Sequence, residues 1–408
     1  LLAHADRLAA RCGRPIEIAA VSARERGRDR GVDLSGISWE ENAEALAENP
    51  GVDVVVELIG GAEGPARALV EKALSAGKPV VTANKALLAL HGARLDSLSA
   101  ENNAPLRFEA AVAGGIPIIK ALREGLVGND VSRISGILNG TCNYILSTME
   151  AEGRSFENVL AEAQKLGYAE ADPAFDISGA DTAHKLAILA RLGFGAAVDF
   201  DALHVEGITR ITPQDITFAR ELGYRIKLLG IAEEKPGGIA VRVHPALVRR
   251  GSPIAEVFGV MNAALVEAQP VDRMFFEGPG AGAGPTASAV LSDIADLARG
   301  ITASASALVG GPSSVKPMRP MSEHEGEYYV RLRVLDQPGV MARITQALAR
   351  AEVSLQSLIQ RGRSPNGPVP IVMRTHEARE SVMLSALAEI GGLDTVVEPP
   401  CLIRIEDG

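Results

Sequence analysis

VDVVVELIGGAEGPARALVEKALSAGKPVVTANKALLALHGARLDSLSA, residues 52–100, is the stretch whose reading settles the fold. Val52–Gly60 and Lys78–Ala83 are short valine-rich runs, apolar on both alternating faces. Such runs suit strands covered on both sides. Between them, Pro65–Ala76 spaces its apolar residues as a helix does, with proline in the first turn where its missing N–H is harmless. Lys85–Ala100 reads as a second helix. Working outward, Leu106–Val112 is the next strand, and Ile16–Val21 with a helix near Trp39–Glu48 precedes the block. Strands alternating with helices predict a parallel sheet, here an α/β, doubly wound nucleotide-binding domain over residues 1–117. Leu1–Arg11 reads as an amphipathic helix already in progress, without the basic start and long apolar core of a signal peptide. The expectation is that the first strand of such a domain and its glycine turn precede Leu1.

From Ile118 the texture changes. Longer helices (Glu157–Leu166, Ala180–Leu192, Pro213–Glu221) mix with strands such as ISGILNG, RIKLLGIAEE and GGIAVRVHPALV, which reads as an α+β domain over residues 118–309. A helix from Thr286, within 286–309, is expected to return to the first domain. Residues 310–326, rich in Pro, Ser and Gly, read as a linker. Residues 327–408 then run β-α-β-β-α-β, the order of a ferredoxin-like module.

Composition narrows the function. A net charge of -10 gives no support to nucleic-acid or anionic-membrane binding. No apolar run approaches the roughly 18 residues of a membrane span. The three cysteines, Cys12, Cys142 and Cys401, have neither metal spacing nor a disulfide pattern, which fits a reducing cytoplasm.

The densest chemistry is KLGYAEADPAFDISGADTAHK, residues 165–185. Tyr168, Glu170, Asp172, Asp176, Asp181, His184 and Lys185 fall within it. Asp181 and Lys185, four apart on a helix, share a face. The bland reading is a capping box from Ser178 to Asp181 followed by a surface ion pair. The functional reading is that loop carboxylates bind an ammonium group and an Asp-held lysine relays a proton. His184 lies one residue off that face and reads as a helix-surface histidine.

The run LGYAEADPAFDISGADTAHK closely resembles the substrate segment of homoserine dehydrogenases. So do ILNGTCNYIL (residues 137–146), VVTANKALLA (80–89), FEAAVAGGIPII (108–119) and EGPGAGAGPTASAV (277–290), in the same order and spacing. The resemblance implies reduction of aspartate 4-semialdehyde to homoserine with a nicotinamide cofactor on a Rossmann-like domain. It implies Lys185 as proton donor and acceptor, Asp181 orienting it, and Lys85 beside the cofactor and the reacting carbon. Glu170 and Asp176 would bind the amino-acid end, helped by Tyr168, Gly140 and Thr141. Ile59, Gly60, Thr82 and Gly282 would lie at the cofactor, although each glycine turn alone reads equally well as an ordinary connection. Glu109, Val112, Gly114 and Ile116 would hold a monovalent cation, usually sodium. Without the resemblance, Glu109 simply pairs with a base.

The family's GxGxxG turn is absent; its place would be just before Leu1. The strand end Ser22-Ala23-Arg24 carries no acid for ribose hydroxyls, which favours the 2′-phosphate of NADP at Arg24. NAD and a plain solvated basic loop are the alternatives. YYVRLRVLDQPGVMARITQALA (residues 328–349) resembles the start of an ACT domain, which implies a threonine effector near Asp336–Val340, against the alternative of a dimerisation module without effector. The whole would be a homodimer or homotetramer. Two rival functions stay open here: a dehydrogenase for another semialdehyde, and a non-catalytic amino-acid sensor.

Overall fold

The structure, a computed structural model, describes residues 1–196, 198–302, 316–362 and 367–407. The first domain contains α1 (Ala5–Cys12), β1 (Ala20–Val21), β2 (Ser38–Trp39), α2 (Ala45–Glu48), β3 (Val55–Glu57), α3 (Pro65–Ser75), β4 (Val80–Thr82), α4 (Lys85–Glu101) and β5 (Leu106–Arg107). All its strand pairings are parallel: β1 with β2, and β3-β4-β5. Val55, Val80, Val81 and Leu106 are buried, with Leu69, Leu74, Leu87 and Leu95 from α3 and α4 packed beside them. Two expectations need correction. Most of Ile16–Val21 lies outside regular pairing, and the helix expected from Trp39 forms only at Ala45–Glu48, since Ser38–Trp39 is taken by the sheet.

The second domain adds α5 (Ile118–Lys120), β6 (Asp130–Ile137), α6 (Gly140–Glu152), α7 (Phe156–Lys165), α8 (Ala174–Ile177), α9 (Ala180–Phe194), β7 (His204–Val205), α10 (Pro213–Glu221), β8 (Tyr224–Lys235), β9 (Gly238–Arg249), β10 (Met261–Gln269), β11 (Asp272–Pro279) and α11 (Ala283–Ala298). The helix α9 is buried along nearly its whole length, its polar residues Asp181, Thr182, His184, Lys185 and Arg191 included. The helix α11 contacts residues of the first stretch: Asp293 accepts from the Glu109 N–H at 2.8 Å, and the Cys12 thiol faces the Ala295 carbonyl. Residues 303–309 of that expected helix lie outside the described residues.

The C-terminal module is β12 (Glu325–Leu335), α12 (Val340–Arg350), β13 (Leu355–Gln360), β14 (Pro368–Thr375), β15 (Ala378–Arg379), α13 (Glu380–Gly391) and β16 (Cys401–Glu406). Apart from the two-residue β15, which pairs with the start of β12, it has the expected β-α-β-β-α-β order. Its attachment was not expected. Strand β16 pairs with β12 on one side and, in parallel, with β9 on the other (Arg404 opposite Ala246). One sheet therefore runs β11-β10-β6-β8-β9-β16-β12-β14-β13 through both domains. Alternation along β12 explains the join. Tyr328, Val330, Leu332 and Val334 face the module's own helices, while Tyr329 turns into the large core of the second domain. The expected boundary at residue 326 falls inside β12, and Arg319 already donates its N–H to the Ile239 carbonyl on β9.

Candidate active site

The site is built on the N-terminus of α9. Glycine at position 179, with φ +88°, starts that helix with no side-chain cap, so the Ser178 capping box does not form. Asp181 is instead turned inward. Its Oδ1 lies 2.8 Å from the Lys85 Nζ, and its Oδ2 accepts from the Lys185 Nζ at 2.8 Å and the Asn139 amide at 2.8 Å. Asp181 and Lys185 are 3% and 7% exposed, which removes the surface-pair reading. Burial opposes the charge on Asp181, but the two lysines outweigh it and hold the carboxyl well below its ordinary range. Lys185 also donates to the Leu138 carbonyl at 2.6 Å. An ammonium has three donors, so one is left without a partner among the described residues. Lys85 opens α4, is one-third exposed, and lies 5.8 Å above the Phe175 ring.

Asn139 is the residue the sequence reading missed. Its Oδ1 caps α6 at the Cys142 N–H, and its amide donates to both Asp176 and Asp181 at 2.8 Å. An Asn directly before a helical pattern was a visible capping signal. Asp176, on α8, also accepts from the Thr141 hydroxyl at 3.2 Å. Gly140 is needed for close approach, since a Cβ there would lie 2.6 Å from the Val260 carbonyl. The structure thus brings together Lys85, Asn139, Gly140, Thr141, Asp176, Asp181 and Lys185. Tyr168 contributes its carbonyl, which accepts from Thr141 at 2.7 Å, while its ring packs on Tyr144. Glu170 is exposed, and its carboxylate has no partner among the described residues. His184 is not on the helix surface. It is buried between Phe175 and Phe200, and burial lowers its pKa.

The expected cofactor residues lie at the carboxyl ends of β3 and β4, where open α/β sheets bind ligands. Ile59 and Gly60 donate their N–H groups to the buried Glu57 carboxylate at 2.7 and 2.9 Å. Thr82 donates its hydroxyl to Glu57 at 2.6 Å and accepts from the Asn84 N–H, so its oxygen is engaged in shaping the turn. Asn84 ties back to the Gly61 carbonyl and caps α4 at Leu87. Gly60 has φ +84° and open space where a Cβ would stand. Arg24 is exposed beyond β1. Gly282, φ +108°, precedes α11 in a turn that packs on Gly114, whose N–H donates to the Gly280 carbonyl at 3.0 Å.

Glu109 is 2% exposed and accepts from the Ile119 and Lys120 N–H groups at 3.0 and 2.9 Å. Burial and the neighbouring Asp293 carboxylate push its pKa up to about 7. Asp293 is also raised, by burial, and its Oδ1 has no partner among the described residues. Two buried acids with an orphaned oxygen fit a cation beside them. Of the expected backbone ligands, Val112, Gly114 and Ile116 line the same buried turn, in which Ala113 adopts φ +47°. The Ile116 carbonyl already accepts from Ile118.

The site thus joins a parallel-sheet α/β domain, a lysine–carboxylate–lysine cluster centred on the buried Asp181 and a ferredoxin-like C-terminal module. Comparison with known proteins gives the family. Models described as "Homoserine dehydrogenase, NAD binding domain", "Homoserine dehydrogenase" and "ACT domain" match residues 1–109, 117–295 and 328–394. The homoserine dehydrogenases of Neisseria gonorrhoeae and Pseudomonas aeruginosa are 45% and 43% identical, each match covering 99% of this chain and 94% of the relative. A crystal structure of a homoserine dehydrogenase from Thiobacillus denitrificans is 44% identical, with TM-score 0.92 over 100% of this chain and 94% of its own. A hyperthermophilic archaeal homoserine dehydrogenase in complex with NADPH is 30% identical, with TM-score 0.57 over 65% of this chain and 78% of its own. The chain belongs to the homoserine dehydrogenase family. It is an NAD(P)-dependent oxidoreductase acting on a CH–OH group, interconverting homoserine and aspartate 4-semialdehyde.

Proposed function

We propose that Lys185 gives a proton to the carbonyl oxygen of aspartate 4-semialdehyde as it becomes a hydroxyl, and takes it back in reverse. The observation that carries this reading is the spare donor on a buried lysine whose other protons are fixed by Asp181 and Leu138. Asp181 holds the two lysines together. Lys85, more exposed, faces the side from which the cofactor approaches. Asp176, fixed by Asn139 and Thr141, receives the substrate ammonium, with the exposed Glu170 closing over it from its loop. When bound, the nicotinamide supplies the hydride acceptor or donor.

The cofactor is NADP. Arg24 offers an exposed guanidinium to a 2′-phosphate, and the Ile59–Gly61 turn, Thr82 and Gly282 border the dinucleotide; NAD is the weaker alternative. A monovalent cation, sodium by preference, sits beside Glu109 with Val112, Gly114 and Ile116, where it neutralises a buried pair of acids and takes no part in the chemistry. Threonine binds the module at the Asp336–Val340 turn, and the protein assembles as a homodimer or homotetramer in the cytoplasm. Three buried free cysteines accord with a reducing compartment, and among the described residues no helix is long and apolar enough to cross a membrane.

The test is oxidation of the reduced nicotinamide by aspartate 4-semialdehyde, followed with NADPH and NADH, with and without threonine. We expect turnover favouring NADPH, and loss of that preference in Arg24→Ala. An unchanged NADPH/NADH ratio in Arg24→Ala would remove Arg24 from the cofactor site.

A further inference from the structure

The Glu206–Ile208 segment touches the substrate turn at both ends. The Ile208 N–H donates to the Ile177 carbonyl at 2.9 Å, one residue from Asp176. At Gly179, which closes the same turn, a Cβ would lie 3.3 Å from the Glu206 carbonyl. Contact between the two strands of chain is so close at Gly207 that a Cβ there would lie 2.1 Å from the Ile177 oxygen. On its other side the segment is held by β9, through the Glu206 N–H and the Val243 carbonyl at 2.7 Å. Its one charged side chain points to the C-terminal module. The Glu206 carboxylate is gripped by the Arg404 guanidinium through two hydrogen bonds of 2.8 Å. Arg404, on β16, is 1% exposed and is also held by Glu380 of α13. Bidentate pairs of this kind fix geometry as well as charge. The arrangement therefore runs from the last strand of the module to the turn that carries Asp176 and opens α9.

We propose that Arg404 and Glu206 are positioning residues for the amino-acid substrate: their ion pair fixes the Asp176–Gly179 turn, so the C-terminal module sets KM for homoserine. The inference rests on the reading of Asp176 as the ammonium-binding carboxylate. It makes the module a part of the site's support in every state of the enzyme, bound to an effector or not.

Glu206→Gln is the variant to make, because Arg404 keeps Glu380 as its partner and the fold is not left with a bare buried cation. A rise in homoserine KM on the order of tenfold is expected, because small displacements of positioning groups have effects of that size or larger. The kcat and the NADP KM should stay within about threefold, the signature of lost uniform binding. Glu206→Asp, which keeps the charge and shortens the reach, should give a smaller rise. In an Asp176→Asn background the Glu206→Gln effect should largely vanish, since coupled residues are not additive. If Asp176→Asn raises KM and neither Glu206 variant does, the positioning role is wrong while the ammonium reading stands. If Asp176→Asn leaves KM unchanged, both fall. A fully additive double variant, or a parallel loss in kcat, both KM values and Tm, makes the pair structural and overturns the inference.

Discussion

At Lys185 the decisive fact is a count of donors. Asp181 and Leu138 take two of three ammonium protons, and the third has no acceptor among the described residues. Lys185→Met should therefore lower kcat by roughly 10²- to 10⁴-fold, the range of a lost general acid. The NADP KM should change little. The variant should fold, because Asp181 retains Lys85 and Asn139 as partners. Near-normal turnover in steady-state assays would remove Lys185 from proton transfer. Asp181→Asn is a different experiment: it leaves two ammonium groups facing one another without the carboxylate between them, so stability should fall together with kcat. Thermal melts separate the two variants, since only the second should lose several degrees in Tm. Both residues were legible as a pair four apart. What the sequence could not carry was their burial, because Asp and Lys at that spacing are usually on a solvated face. The same limit hid His184, which packs between two phenylalanines from other parts of the chain.

Elements were legible where one residue decides a boundary. Pro213 behind the Thr212 cap fixes α10, and α3, α4 and α9 begin where proline, asparagine and glycine place them. They were less legible where the deciding partner is remote. Thr82 illustrates this: its hydroxyl is engaged by Glu57, twenty-five residues earlier, so the strand ends are tied by a buried carboxylate that no local pattern marks. The turn from Glu109 to Lys120 makes a prediction at this scale. Replacing sodium by N-methylglucamine at constant ionic strength should lower Tm by a few degrees, as expected for loss of a ligand bound only by the folded state. Glu109→Gln should abolish the difference; an equal sodium effect in both proteins would move the cation elsewhere. His324, between Pro320 and β12, makes another. Burial, with Arg242 and His244 nearby, holds it down to about 4, against Glu406 and Glu380 acting in the other sense. Its unfolded value is near 6.5, so between these limits the unfolded chain binds more protons. The stabilisation is complete above pH 6.5 and is lost as pH falls toward 4. At pH 5 the loss is about 2 kcal/mol. Denaturant melts at pH 7.5 and 5.0 should show His324→Gln losing less stability over that interval than the parent; equal losses would assign the acid sensitivity to other groups.

On the scale of the whole molecule, the nucleotide-binding domain and the C-terminal ACT-type module were legible along the chain, but the joint between the last two domains was not. A linker was expected because residues 310–326 are rich in Pro, Ser and Gly; of these, residues 310–315 lie outside the described residues. Pro317 and Arg319 are already bonded to Ile239 of β9, and a parallel pairing such as β16 with β9 joins residues more than 150 apart in sequence, beyond the reach of any local signal. The energetics favour a fused body over a tethered one. Tyr329, Val372 and Ile403 are fully buried in the core of the second domain, and each such side chain stabilises by about 1.5–3 kcal/mol. Arg331 and the Tyr329 hydroxyl share Asp215 of α10 at 2.6 and 3.0 Å, so a buried charge-assisted network also spans the joint. Opening the joint would expose all of these at once, so the module should not unfold ahead of the second domain. Native-state hydrogen exchange checks this directly. The amides of β16 and of β9 should share one opening free energy, and mild denaturant should raise the exchange of both together. If β16, β12 and β14 exchanged through a separate opening several kcal/mol below that of β8 and β9, the module would be an independently folding attachment, and the continuous sheet would contribute little to holding it in place.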